Sequence, residues 1–79
     1  MSPTPTAFTG MVASFGAQTF LQINTPAGAA QTLLLSGPGP SVAQQIAAAT
    51  AMFAPFVGTQ QTVSGFIVQV LGQDAILVF

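Results

Sequence analysis

The sequence predicts a small, mainly β barrel that carries one helix, with the element order β-β-β-α-β-β. The prediction rests on short apolar runs separated by Gly and Pro turns, one Ala-rich segment with helical spacing, and a Gly inside both the first and the fourth run. At 79 residues the chain has the length of one domain. We expect a single barrel over residues 7–79, preceded by an extended arm over residues 1–6, where prolines and threonines leave nothing to bury.

The first three predicted strands are apolar runs divided by turn residues. They cover residues 7–15, 19–24 and 30–36, with one turn at Gly16 and another in "TPAG" at 25–28. In the second turn a proline fixes one backbone angle and a glycine permits a positive φ that other residues rarely adopt. These runs therefore predict a hairpin followed by a third strand.

One helix is predicted at about residues 41–54. The prolines of "GPGP" stop the sheet just before it, because proline cannot donate a hydrogen bond to a neighbouring strand. Ser41 followed by Gln44 has the spacing of a capping box, and Pro55 ends the helix. The apolar stripe of this helix consists of Val42, Ile46, Ala49 and Phe53.

The closing half of the chain predicts two further strands. Gly58 leads into a run at 61–71, a turn is predicted at 72–74, and the last strand covers 75–79. A bend is expected at Gly65. Beyond this bend the alternation predicts that Phe66, Val68 and Val70 point inward and that Ile67 and Leu71 point outward.

This element order resembles the OB-fold, a five-stranded Greek-key barrel, here with the helix between strands three and four. The stretch "FVGTQQTVSGFIVQVLGQDAILVF" is similar to the closing half of small bacterial OB-type domains. The resemblance covers about residues 7–79 and rests on apolar alternation and on glycines placed where a small barrel must bend. It implies a fold rather than an activity.

Charge is the most unusual property of the chain. Asp74 is the only charged side chain, with no Lys, Arg, His or Glu, whereas about a quarter of the residues of a typical globular protein are charged. Neutral polar side chains must therefore hydrate the surface, and a net charge of −1 gives almost no repulsion between copies. The absence of Cys also means that no disulfide supplements a core of this size.

The residue types of the chain predict no enzymatic chemistry, no metal and no cofactor. General acid–base catalysis needs a positioned titratable group, and Asp74 is the single side-chain candidate. We expect it to be a turn residue that bonds its own backbone. Zinc requires several Cys or His ligands and calcium requires several carboxylates, so neither ion has a ligand set here.

Nucleic-acid binding, a common use of OB barrels, is not expected for this chain. Phe8, Phe15, Phe20 and Phe66 could stack on bases, but affinity for the phosphate backbone depends on Lys and Arg, which are missing. The segment "GPGPS" at 37–41 lacks the lysine of a phosphate-binding loop. We interpret it as a connector between a strand and the helix.

No membrane span is expected, and the sequence predicts no compartment. The most apolar long segment, 41–58, is interrupted by Gln44, Gln45 and Pro55 and is rich in Ala. The first ten residues lack the basic and apolar regions of a signal peptide.

Apolar side chains on both faces of the strands predict self-association. "AILVF", "FIV" and "LLL" are apolar at successive positions, although a half-buried strand should alternate, and no charge protects a strand edge. We expect this surface to be buried against copies of the chain in a homo-oligomer or filament, with the arm 1–6 as a connector. The predicted contact residues are Met11, Phe20, Ile67, Leu71, Ile76 and Val78.

Two other interpretations remain open at this stage. The chain could be a small binding module for a neutral ligand or an apolar peptide, which predicts a monomer with one concave pocket lined by Phe, Gln and Asn. It could also be an engineered or reduced-alphabet barrel without a biological activity.

Overall fold

The computed structural model describes residues 4–78 and confirms a mainly β chain with one helix. The strands are β1 (Thr6–Phe15), β2 (Gln18–Thr25), β3 (Gly28–Ser36), β4 (Gln60–Val70) and β5 (Gln73–Val78), and helix α1 (Val42–Phe53) lies between β3 and β4. Part of the predicted arm lies outside the described residues. Its last residue, Thr6, already belongs to β1, so the barrel begins one residue earlier than predicted.

The strands close into a barrel in the order β1-β2-β3-β5-β4, as the OB-like prediction requires. Neighbouring strands run antiparallel except β3 and β5, which run parallel. The long strand β1 closes the ring, because its first half pairs with β4 and its second half pairs with β2. Each strand of the barrel therefore has two neighbours.

Gly10 and Gly65 lie where a neighbouring backbone comes too close for a side chain. A Cβ atom at Gly10 would lie 2.9 Å from the carbonyl carbon of Gln22, and one at Gly65 would lie 2.9 Å from that of Leu77. Real Cβ atoms essentially never approach backbone this closely. The two glycines predicted to mark bends therefore let strands of a tightly curved wall approach each other.

Helix α1 covers one end of the barrel through the apolar stripe predicted for it. Ala49 and Phe53 are buried, whereas Val42 at the start of the stripe is exposed. The Ser41 hydroxyl accepts a hydrogen bond from the backbone N–H of Gln44 at 3.2 Å, which is the capping contact that the sequence predicts. The core cluster consists of Val12, Leu21, Leu34, Ala49, Phe53, Val63, Ile76 and Val78.

A hydroxyl contact ties α1 to the turn between β1 and β2. The Thr50 hydroxyl lies 3.1 Å from the carbonyl oxygen of Ala17 and 2.9 Å from that of Ile46, one helical turn back. The buried Thr19 hydroxyl lies 3.4 Å from the Thr50 hydroxyl. These contacts satisfy polar groups at the partly buried junction of helix and barrel.

The register reverses the sides predicted for residues 66–70 of β4, although Ile67 and Leu71 are exposed as predicted. Residues directly opposite in neighbouring strands point to the same face, and Ile67 lies opposite the core residue Ile76. Phe66 lies opposite Leu77, and these two side chains belong to the outer face. The register is continuous through Gly65, so the glycine bends the strand without a bulge and the alternation does not reverse.

The turn predicted at 72–74 is shorter and lies earlier in the chain. Leu71 and Gly72 form it, with φ values of 51° and 80°, and β4 and β5 pair as far as Val70 and Gln73. Two successive positive φ values are typical of a two-residue type I′ hairpin turn. Asp74 is therefore a strand residue of β5 and not the turn residue that the sequence predicts.

Replacing Gly65 with Ala should destabilise the barrel. The added methyl group would overlap the Leu77 backbone, and overpacking of this kind costs about 1–3 kcal/mol. Chemical denaturation measures the loss in the free energy of unfolding. The control is Ser64→Ala at an exposed neighbouring position, which should change stability by less than about 0.5 kcal/mol. Equal stability of the two variants would contradict the close approach.

Candidate interaction surface

The strands that close the barrel carry apolar side chains on both faces. Leu34 and Ile76, which lie opposite each other in β3 and β5, point into the core. Their neighbours Leu35 and Ala75 are also buried but lie outside the core cluster. The outer wall of the barrel therefore has an apolar layer of its own.

One outer row of side chains crosses four strands without a polar residue. Phe20 lies opposite Leu33, Leu33 opposite Ala75, and Ala75 opposite Val68. The row is continued into β1 by Ala13, which lies opposite Phe20. We call these five residues the outer row; adjacent strands lie about 4.8 Å apart, so the row spans roughly 20 Å of surface.

The outer row forms the floor of a groove beside the β4–β5 turn. The groove has a volume of about 240 Å³. Phe20, Leu33 and Ala75 lie along its floor, because they share one face of neighbouring strands. Its other lining residues are Gln18, Gln31, Val70, Leu71, Gln73 and Asp74. The site thus combines an apolar floor with an amide-rich rim.

Leu71 is the most exposed apolar residue of this surface. Its side chain is 100% exposed at the tip of the β4–β5 hairpin, directly beside the groove. Its φ of 51° is the only positive value at a residue other than glycine among residues 4–78. A left-handed backbone costs a residue with a Cβ atom roughly 1–2 kcal/mol, and the type I′ turn prefers Asn or Asp at this position.

The structure separates the six predicted contact residues into four groups, the last of which is buried. Met11 and Phe20 lie on the outer face as predicted, with Met11 48% exposed and Phe20 partly buried on the groove floor. Ile67 is also 48% exposed, but it points to the core side of β4, beyond the last described pair between β4 and β1 at Gly65. Leu71 lies at the hairpin tip.

The prediction that Ile76 and Val78 lie at the surface is wrong. Both are members of the core cluster, and Ile76 has no exposed surface. They are buried because the barrel closes around β5. This strand lies between β3 and β4, so every second side chain of β5 points into the core. The outward residues of β5 are Gln73, Ala75 and Leu77, of which the last two add apolar side chains to the outer wall.

The sole carboxylate of the chain belongs to a residue that lines the groove, but it points to the other face of β5. Asp74 lies opposite Gln69 in β4, and the Gln69 amide donates a hydrogen bond to its Oδ1 atom. Over residues 4–78, no group of three or more His, Cys, Asp and Glu side chains comes together in the geometry of a metal site. The polar side chains available to a ligand at this rim are therefore the amides of Gln18, Gln31 and Gln73.

A second concavity lies on another part of the barrel. It has a volume of about 420 Å³ and is lined by Ser36, Gly37, Pro38, Gln45, Leu77 and Val78, where the end of β3 meets the start of α1. It contains none of the exposed predicted contact residues. Within the described part of the chain, no helix has the length and apolar character needed to cross a membrane.

Sequence reasoning missed the glutamines of the groove. Gln18, Gln31 and Gln73 each precede an outer-row residue by two positions, so each points to the same face as that residue. This spacing is visible in the sequence, but it carries information only once the cross-strand register is known. Comparison with known proteins adds no assignment, because no protein-family model, no curated protein and no solved structure matches the chain.

Leu71→Asn should stabilise the fold. Asn adopts a positive φ more readily than Leu and forms the preferred Asn-Gly turn with Gly72, so we expect a gain of about 1 kcal/mol in the free energy of unfolding. Thermal and chemical denaturation measure the gain at a dilution where copies do not interact. Leu71→Ala is the control, because it removes the same apolar side chain but lacks the amide through which Asn tolerates a left-handed backbone. A destabilised Leu71→Asn would contradict the turn geometry.

Proposed function

We propose that the chain is a non-enzymatic structural subunit that associates with copies of itself through the outer face of the barrel. The observation that carries this proposal is the fully exposed Leu71 beside an apolar groove, on a surface with a single charged side chain. Apolar patches of this kind mark interaction sites. Met11, Phe20 and Leu71 are the predicted contact residues that belong to this face.

Burial of these side chains supplies a driving force of the required size. Fully burying one Leu, Met or Phe side chain contributes about 1.5–3 kcal/mol. A symmetric contact buries each residue twice, so the gain can exceed the cost of losing translational and rotational freedom, estimated at 4–15 kcal/mol. The partly buried Phe20 contributes less than a fully exposed side chain would.

The missing charges favour the same contact. An ordinary surface must desolvate or pair its charged groups when it is buried, and like charges on two copies repel. Here Asp74 is the only side chain that opposes contact in this way. The groove rim carries glutamine amides, which can donate and accept hydrogen bonds across an interface between copies.

Closure of the barrel directs the contact to side chains. A free sheet edge can recruit another chain by backbone hydrogen bonding. Each strand of this barrel has two neighbours, although residues 66–70 of β4 and 28–32 of β3 pair on one side only among the described residues. The proposed interface uses side chains of the outer wall rather than these short edges.

Met11→Lys should weaken association strongly, because it places an unpaired charge in the proposed dry contact. Ile67→Lys is a closely matched control: Ile67 is also 48% exposed, but it points away from the outer face. Size-exclusion chromatography with light scattering measures the mass of both variants and of the unmodified chain. We expect oligomers for the unmodified chain and Ile67→Lys, and a shift toward monomer for Met11→Lys.

A monomeric unmodified chain at high micromolar concentration would contradict the proposal. Gln44→Lys on the exposed side of α1 tests whether any added positive charge is sufficient to disperse the oligomer, and it should leave association unchanged. If all three Lys variants dissociate equally, general repulsion rather than a defined face controls association.

A binding module for a neutral ligand is the second candidate, favoured by one observation. The groove has the Phe and Gln lining expected for such a module, with Phe20 on the floor and three glutamines around it. This alternative requires a monodisperse monomer whose groove is free. Amide chemical shifts confined to groove residues on titration with a neutral amide or sugar, without any change in mass, would favour it over self-association.

A further inference from the structure

We propose that the outer faces pair about a two-fold axis, so that Leu71 of each copy enters the groove of the other. This inference rests on the proposed self-association and specifies its symmetry and its central contact. Assembly through such a contact ends at the dimer, because a two-fold contact uses the same patch on both copies.

The groove is large enough for a leucine side chain. Its volume is about 240 Å³, whereas a protein cavity of about 150 Å³ lined by aliphatic and aromatic residues holds a benzene molecule. Its floor offers the partly buried side chains of Phe20 and Leu33, which match leucine in polarity, whereas Ala75 has no exposed surface. A leucine seated there would contact apolar atoms on the floor while the amides remain at the rim.

The protruding Leu71 side chain and the groove belong to one patch of the surface. Leu71 lines the groove of its own barrel and projects from the hairpin tip, so the two features are adjacent. An isologous interface requires a patch that is complementary to itself, in which one residue contacts a second while the second contacts the first across the axis. A protrusion next to a concavity of matching size and polarity meets this requirement.

The backbone at Leu71 supplies a second and independent argument. A residue with a Cβ atom at a φ of 51° lowers the stability of the isolated barrel, and the strain is accompanied by complete exposure of an apolar side chain. Neither property helps the monomer fold. Strained positions cluster at contact and ligand sites, so this turn is better explained by what Leu71 touches in the dimer than by the fold of one copy.

Negative charge added at the rim of the groove should weaken such a dimer. Asp74 alternates with the outer-row residue Ala75, so its carboxylate bonds Gln69 on the other face of the β4–β5 hairpin and does not enter the contact. A carboxylate introduced at exposed Gln31 would face the same carboxylate of the partner across the axis and would weaken the pairing by like-charge repulsion. The same substitution at Gln44, on α1, should have no effect on pairing.

Leu71→Asn tests the proposal because it separates folding from pairing. At a dilution where copies do not interact, we expect this variant to unfold at a higher temperature than the unmodified chain, and at higher concentration we expect it to dimerise more weakly. The dissociation constant should rise by roughly a hundredfold or more, since each dimer loses two leucine contacts worth about tenfold or more apiece. Leu71→Met keeps an apolar side chain at the tip and should dimerise within about tenfold of the unmodified chain.

Sedimentation equilibrium of the full chain and its variants gives both the stoichiometry and the dissociation constants. The expected series is a dimer for the unmodified chain, Leu71→Met and Gln44→Glu, and weaker dimers for Leu71→Asn and Gln31→Glu. Open-ended polymers, or a Leu71→Asn chain that dimerises as tightly as the unmodified one, would overturn the two-fold contact while leaving self-association intact. A monomer in every case would overturn both.

Discussion

The parallel pairing of β3 with β5 is the interaction on which the rest of the structure depends. It joins Leu33–Ser36 to Ala75–Val78 and completes the ring that the antiparallel pairs leave open. Both segments contain runs of successive apolar residues. Alternate residues of each run fill the core, and the residues between them lie on the outer wall. The same pairing that closes the barrel therefore creates the apolar floor of the groove.

The almost complete lack of charge leaves little to oppose contact between the outer walls of two copies. In most proteins, charged side chains keep such a surface apart from its copies through hydration and repulsion. Here glutamines surround the groove, and the single carboxylate bonds Gln69 on the other face of the β4–β5 hairpin. Apolar contact between copies is consequently opposed by little except the entropy of association.

The sequence predicted the fold well where local rules suffice. Periodicity and turn residues located all five strands, and Ser41 with Gln44 located the start of the helix, because these signals depend on neighbouring residues alone. The facing of residues beyond Gly65 was wrong because it depends on an unbroken register, which a glycine does not reveal by itself. The groove could not be predicted for a similar reason. Side chains from three strands form the floor of the groove. The exposed side chain beside the groove depends on a turn that places Leu71 rather than Gln73 at the tip of the β4–β5 hairpin.

The central claim is that apolar contact between uncharged surfaces holds copies of this chain together. Sedimentation velocity of the unmodified chain, measured over a dilution series at low and at physiological ionic strength, tests it most directly. We expect the average mass to rise with concentration and the two series to coincide closely, because screening acts on charges and each copy contributes a single charged side chain. The mass of a single chain at every concentration, or association that disappears as salt is added, would contradict the claim.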